Sequence, residues 1–347
     1  MSQDARVRVP SGSLPLRSAV IHRGAGAASR TSKILQEITP SGLLEDVAEQ
    51  PQKAIPAIAK NLAACSEIEA ACALVPTSHS LVNGDARDLS WIPDESIQLV
   101  VTSPPYWTLK EYDPGPSQLG HVDDYEEFND HLSKVWSECM RVLVPGGRLV
   151  INVGDVCLPR RRFGRHVVVP LHATIQERCR AIGFDNLATI VWHKIANANF
   201  EAGGGGFLGK PYEPNAVIKN DIEWVLSQRK PGGYRSPTPA ERVLSVIPRD
   251  RHREWFQQVW SMGGASTQRH PAPFPVVFAE RLVRMFSFVG DTVMDPFSGT
   301  ATTSIAALAW GRDSIGVESQ AAYHAEAVHR VTAAVESSAA NAQLRLA

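Results

Sequence analysis

Hydrophobic and polar positions divide the chain into distinct textures. Over residues 31–75, Ala, Leu and Ile recur among charges at helical spacing, interrupted at Pro40, Pro51 and Pro56, which predicts several short helices. From about residue 80 the pattern changes. SIQLVVTS reads as a strand over 97–102, YEEFNDHLSKVWSECMRVL as an amphipathic helix, and GGRLVINVG as a strand after a Pro-Gly-Gly stop. A helix at about 167–182 leads to the strand NLATIVWHK, and NDIEWVLSQRK is a further strand. A Gly/Pro/Arg-rich stretch over 231–275 precedes helical PVVFAERLVRMFSF. DTVMDPFSGTATTSIAALAWGRDSIGVES then reads as strand, tight turn, helix and strand. Strands and helices in alternation predict an α/β fold. The organisation expected is a mobile arm over 1–30, a helical extension over 31–78, one α/β domain over 79–335 and a tail over 336–347, with a flexible loop at Gly203 to Gly206.

Composition narrows the function classes. A chain of 347 residues with 44% hydrophobic and 20% charged residues can bury a sizeable core. No stretch approaches the ~18 apolar residues that span a bilayer, and the first residues lack a secretory apolar core, so a cytosolic protein without membrane contact is expected. Five scattered cysteines form no CxxC pair and read as reduced thiols, and no metal constellation appears. The net charge of −1 hides a local asymmetry: residues 155–262 hold 16 Lys/Arg against 10 Asp/Glu. This basic middle contains PRRRFGR (Arg160, Arg161, Arg162, Arg165) and PRDRHRE (Arg249, Arg251, Arg253), which can hold phosphates or read guanine edges, although charge runs also make ordinary solvated faces. The stretches 155–170 and 231–265 are therefore candidate DNA-recognition insertions.

Two stretches carry chemistry. In MDPFSGTATTSIAALAWGRDSIGVE, an apolar strand ends at Asp295, a turn with Gly299 follows, and a second strand ends at Glu318. Such a turn lets a ligand approach the backbone, and the acid on the next strand can accept from ribose hydroxyls; an ordinary turn needing one glycine for packing has the same pattern. In VVTSPPYW a strand stops at Pro104 and Pro105 between a serine and an aromatic. The prolines end strand pairing and fix a rigid shelf. Ser103 and Pro104 offer acceptor oxygens at this break, with the Tyr106 ring beside them.

TSPPYW together with DPFSGTATT resembles the amino-methylating DNA methyltransferases, which methylate an exocyclic amine of cytosine or adenine with S-adenosyl-L-methionine (AdoMet). The order, tetrapeptide before the AdoMet turn, resembles the circularly permuted β group. NGDARDL, ECMRVLVPGGRLVINVGD, IVWHK and HPAPFP follow the same order, and the likeness covers roughly residues 80–330. Where the family usually has a second glycine, this chain has Ala301. The resemblance implies a Rossmann-like AdoMet-dependent methyltransferase sheet with helices on both faces, here with an N-terminal helical extension. It implies a catalytic set of Ser103, Pro104, Pro105 and Tyr106. Around the cofactor it implies Asp85, Ala86, Thr102, His270, Asp295, Phe297, Ser298, Gly299, Thr300 and Glu318. The expected partner is DNA, with a cognate restriction endonuclease as a further candidate and a monomer or homodimer as the assembly. Cytosine N4 is the expected target, adenine N6 the alternative. RNA or small-molecule methylation and a non-catalytic DNA-binding relative are more distant. A dehydrogenase is disfavoured by the lack of GxGxxG after a strand, and cytosine-C5 chemistry by the lack of Pro-Cys.

Overall fold

A computed structural model describes residues 25–107, 119–158, 160–194, 220–264 and 274–346, the side chains of 25–31, 121, 160 and 162 excepted. Residues 1–24 of the expected arm, the Gly203 to Gly206 loop and His270 lie outside the described residues.

Four helices come first: α1 (Ala25–Ile38), α2 (Leu43–Glu49), α3 (Pro51–Lys60) and α4 (Leu62–Cys72). Pro51 opens α3, where its missing N–H removes no bond. Pro56 lies inside α3 and does not end it. Asn61 starts α4, its Oδ1 accepting from Ala63 N and Ala64 N. The helices and the turn after α4 bury Leu35, Val47, Ile68 and Val75 against Ala240, Val243 and Leu244 of a later helix and against Val289. Part of the 231–265 stretch is therefore spent on holding the N-terminal helices.

The remaining elements alternate: β1 (Ser78–Asn83), β2 (Ile97–Thr102), α5 (Tyr125–Val142), β3 (Leu143–Val153), β4 (Val156–Leu158), α6 (Arg160–Phe163), β5 (Val167–Val169), α7 (Leu171–Ile182), β6 (Asp185–Asn186), β7 (Ile190–His193) and β8 (Ile222–Arg229). They continue with α8 (Pro239–Leu244), α9 (Arg249–Trp255), β9 (Val259–Ser261), α10 (Val276–Phe286), β10 (Thr292–Asp295), α11 (Thr302–Ala309), β11 (Asp313–Glu318), α12 (Ala321–Ser337) and β12 (Gln343–Leu346). The central sheet runs β12-β1-β11-β10-β2-β3-β8-β7-β9, with β6 also on β8. From β12 to β3 all neighbours are parallel, and β8 joins β3 antiparallel.

Period-two burial explains why helices cover both faces. On β3, Leu149, Ile151 and Val153 join the core beneath α5 and α7, whereas Val150 joins the opposite core with Leu99 and Val101 of β2 and Phe278, Leu282 and Val283 of α10. Helix α5 buries Phe128, Leu132, Val135, Trp136 and Cys139 along one stripe and is capped by Asp124, whose carboxylate accepts from Glu127 N at 2.8 Å.

Three local expectations change. Pro145-Gly146-Gly147 lies inside β3, at the register shift against Ile97 and Leu99, rather than between helix and strand. Residues 167–169 form β5, a hairpin partner of β4, so α7 starts at Leu171. Residues 343–346, expected in a tail, add a parallel edge strand to β1, because Leu344 finds a buried place beside Leu81.

Candidate active site

Strand order reverses between β10 and β2. After β10 the chain continues on one side, to β11 and then to β12 beyond β1, whereas after β2 it continues on the other, to β3. In open parallel sheets this leaves a crevice at the C-terminal strand ends. Here those ends carry Asn83, Thr102, Asp295 and Glu318.

Asp295 is fully enclosed. Its Oδ1 accepts from Thr102 Oγ1 at 2.7 Å and from Phe297 N at 3.1 Å, and its Oδ2 accepts from Thr303 Oγ1 at 2.7 Å. Burial pushes its pKa up to about 6 despite these three donors. Glu318 ends β11 with Oε2 accepting from Gly299 N at 2.9 Å and Oε1 from Gln320 N at 2.8 Å. Burial raises its pKa as well. Between the two acids the turn packs onto β11. A Cβ on Gly316 would stand 2.9 Å from Leu81 Cδ2 and 3.0 Å from Ser298 Cβ, so glycine at 316 is what lets Ser298 approach. Ala301 adopts φ 61° at the helix start, the left-handed backbone that glycine supplies at no steric cost, and its methyl is buried. Thr300 accepts from Arg330 Nη1 on α12, and Phe297 lies edge-on to Trp136 at 6.3 Å. Two buried carboxylates, each accepting from groups of the protein, thus flank a tight turn at the C-terminal strand ends.

The structure distributes the other expected cofactor residues differently. Asp85 is bound bidentate by Arg87 and accepts from Arg87 N at 2.9 Å. Burial works to raise its pKa, but the hydrogen bonds and charge of Arg87 hold it below the ordinary value. Ala86 is buried with Leu89 in the α5 core.

Ser103 follows β2 immediately. Its Oγ lies 3.1 Å from the Tyr106 hydroxyl, which donates to Glu223 Oε2 at 3.1 Å. Asn152 Nδ2 donates to the same Glu223 oxygen at 2.6 Å and to the Tyr106 hydroxyl at 3.1 Å, and Lys194 Nζ donates to Glu223 Oε1. Tyr106 is 4% exposed and lies against Gly154, where a Cβ would stand 3.3 Å from Tyr106 Cε2. The ring is thus held from two sides. Trp107 donates to Val122 O and packs on Tyr125.

Sequence reasoning missed Asn152, Gly154, Lys194, Glu223 and Thr303. The antiparallel entry of β8 pairs Val153 with Trp224 and so sets Glu223 beyond the tip of β3, while Lys194 follows β7. A polar residue at the mouth of an apolar strand, as in NDIEWVL, was the available signal for Glu223.

The basic runs separate. Arg161 and Arg165 are exposed between β4 and β5; Arg160 and Arg162 share α6. Arg249 and Arg253 of α9 line a cavity of about 610 Å³ with Ile55, Lys60, Arg242 and Phe288. Phe288 precedes β10, so these arginines stand at the N-terminal edge of the strands, away from Asp295 and Ser103; Arg251 stacks near Trp255. Among the described residues no group of side chains could hold a metal ion, and the Cys139 and Cys179 thiols are buried, with pKa values raised by that burial.

The DNA methylase family of the N6/N4 type matches residues 97–329. The chain is 37% identical over 274 residues to the Type II methyltransferase M.MjaI of Methanocaldococcus jannaschii, covering 70% of this chain and 88% of that one. It shares 50% identity and a TM-score of 0.62 with TTHA0409 of Thermus thermophilus, solved with AdoMet bound as a candidate DNA modification methylase, over 78% of this chain and 99% of that one. The PvuII cytosine-N4-specific DNA methyltransferase shares the fold at 20% identity and a TM-score of 0.55, over 78% and 96% of the two chains. With the TSPPY and DPFSG stretches on neighbouring strand tips in permuted order, the chain belongs to the β group of amino-methylating, AdoMet-dependent DNA methyltransferases.

Proposed function

We propose that the protein transfers the methyl group of AdoMet to the exocyclic N4 amine of cytosine in DNA. The observation that carries this reading is Ser103 at the tip of β2, where the neighbouring Thr102 is bonded to Asp295 of the cofactor strand. Target shelf and cofactor cleft are thereby adjacent.

In this reading Ser103 Oγ and the Pro104 carbonyl accept from the two amine protons and localise the nitrogen lone pair. AdoMet supplies the electrophilic methyl when bound. Asp295 takes its methionyl ammonium, Glu318 its ribose hydroxyls, and Phe297, Ser298 and Gly299 line its path. The target base leaves the duplex and meets Tyr106, whose hydroxyl anchor keeps the ring fixed. A serine hydroxyl is shorter and a weaker acceptor than a carboxylate, which favours a pyrimidine held close to the shelf. Adenine N6 is the second reading, because Pro104 serves either base. Arg161 and Arg165 supply phosphate contacts, and the Type II methyltransferase relative suggests a cognate endonuclease as partner. Mass spectrometry of nucleosides from DNA treated with the purified protein is expected to show N4-methylcytosine. N6-methyladenine alone would overturn the base assignment.

A further inference from the structure

The side chains behind Ser103 form a hydrogen-bonded chain with one direction. A carboxylate paired with an ammonium accepts at both oxygens, and Glu223 does so from Lys194, Asn152 and Tyr106. The phenol has a single proton, which it gives to Glu223. With the phenol proton directed to Glu223, Ser103 is assigned as the donor across its 3.1 Å contact with the Tyr106 hydroxyl. The serine lone pairs are left for an incoming N–H. Lys194 and Glu223 are fixed in place, with side chains only 14% and 12% exposed and the Lys194 ammonium 4.4 Å from the Trp192 ring centroid.

Amine methylation needs such an arrangement. As the amine nitrogen forms its bond to the methyl carbon, the carbon–sulfur bond breaks and its electron pair stays on sulfur. The nitrogen becomes positively charged and must lose a proton. A serine hydroxyl cannot retain it, because a protonated hydroxyl is a far stronger acid than a protonated amine. It has to pass one on.

We infer that Glu223 is the terminal acceptor of that proton, reached through Ser103 and Tyr106; this rests on the reading of Ser103 as the group that meets the target amine. The amine proton moves to Ser103 Oγ as the serine proton moves to the Tyr106 oxygen and the phenol proton moves to Glu223 Oε2. Both hydroxyls end the step neutral and Glu223 ends it as a carboxylic acid, which returns its proton to solvent before the next turnover. Glu223 touches neither target nor cofactor. It is a positioning residue that also sets which way the Ser103 hydroxyl points, and Lys194 supplies its counter-charge.

The test uses the full chain and whole-genome-amplified DNA, which carries no methyl marks. Single-turnover methyl transfer and the dissociation constants for AdoMet and DNA are measured separately for Glu223→Gln, Tyr106→Phe, their double variant and Ser103→Ala. Each single relay variant should lose about a hundredfold in rate, the span of one proton-transfer contribution. Both dissociation constants should stay within about twofold, and the double variant should be no more than about threefold slower than the slower single one. A rate within about threefold of wild type in either single variant, or losses that multiply, would overturn the relay. Tyr106→Phe leaves the Lys194–Glu223–Asn152 cluster intact and carries the test alone should Glu223→Gln fail to fold. Full activity in Ser103→Ala would remove the serine reading itself, whereas a slow Ser103→Ala beside a fast Glu223→Gln would remove only the relay. A wild type inactive on this DNA would remove both.

Discussion

The Thr102 hydroxyl donates to Asp295 Oδ1 across 2.7 Å, joining residues 193 positions apart in the chain. One bond thus ties the strand that leads into Ser103 to the strand that ends at Asp295.

With Asp295 as the proposed partner of the methionyl ammonium, AdoMet binding is expected to depend on pH. Its carboxyl, raised by burial to about 6, is partly protonated in the free protein near that pH. A bound ammonium favours the ionised form. Affinity should therefore rise between about pH 5 and pH 7, with protons released on binding. Calorimetry in buffers of different ionisation enthalpy measures that release; none at about pH 6 would separate Asp295 from the ammonium.

The same shift fixes a stability trend. An acid whose pKa is higher in the folded than in the unfolded state costs stability as pH rises through that window, here from its ordinary 3.8 to about 6. Asp295→Asn should raise stability by on the order of 3 kcal/mol above the window and bring no gain below it. AdoMet affinity should fall in the same variant. Denaturant midpoints at both ends of the range report the sign.

Glu318→Ala removes the acceptor from Gly299 N and Gln320 N and the proposed ribose contact. AdoMet should bind roughly tenfold to a hundredfold more weakly. Unchanged affinity in a folded variant would place the ribose elsewhere.

Gly154→Ala would bring a methyl to 3.3 Å from Tyr106 Cε2 and 3.5 Å from Glu223 Cγ. The ring must give way while its hydroxyl is held, so turnover should fall by about tenfold or more. AdoMet affinity should be kept. Parallel turnover and binding measurements test the split.

Arg161 and Arg165 are exposed beside the β4–β5 hairpin. Replacing both with Ala should weaken DNA binding and lower the slope of log affinity against log salt by about one unit per lost phosphate contact. A wild-type slope would return this run to a solvated face.

The α/β alternation, the stop of β2 before Pro104 and the strand ends at Asp295 and Glu318 were legible in the sequence because each is local: a period of two, a proline, a strand end. Pro56 misled because a proline's cost inside a helix can be met by packing, here of Ile58 in the N-terminal core. Arg249 and Arg253 read as part of a basic middle, yet charge along the chain does not say which edge of the sheet a helix reaches. Glu223 and Lys194 stayed hidden because they meet Tyr106 only once β8 enters antiparallel beside β3. The residue pair is a product of topology, not of spacing.

The permuted strand order also has a consequence for synthesis. Strand β2 leaves the ribosome with Ser103 early, but the middle of the sheet beside it stays vacant until β10 and β11 are made, nearly two hundred residues later. Its apolar face, Leu99 and Val101 included, must wait for partners at long sequence separation, which slows folding and exposes strand edges meanwhile. A nascent or prematurely terminated chain can therefore carry the Ser103–Pro104 turn while β10 and β11 are still missing. A chain that stops before Glu318 lacks both the acid at the end of β11 and the strand that separates β10 from β1.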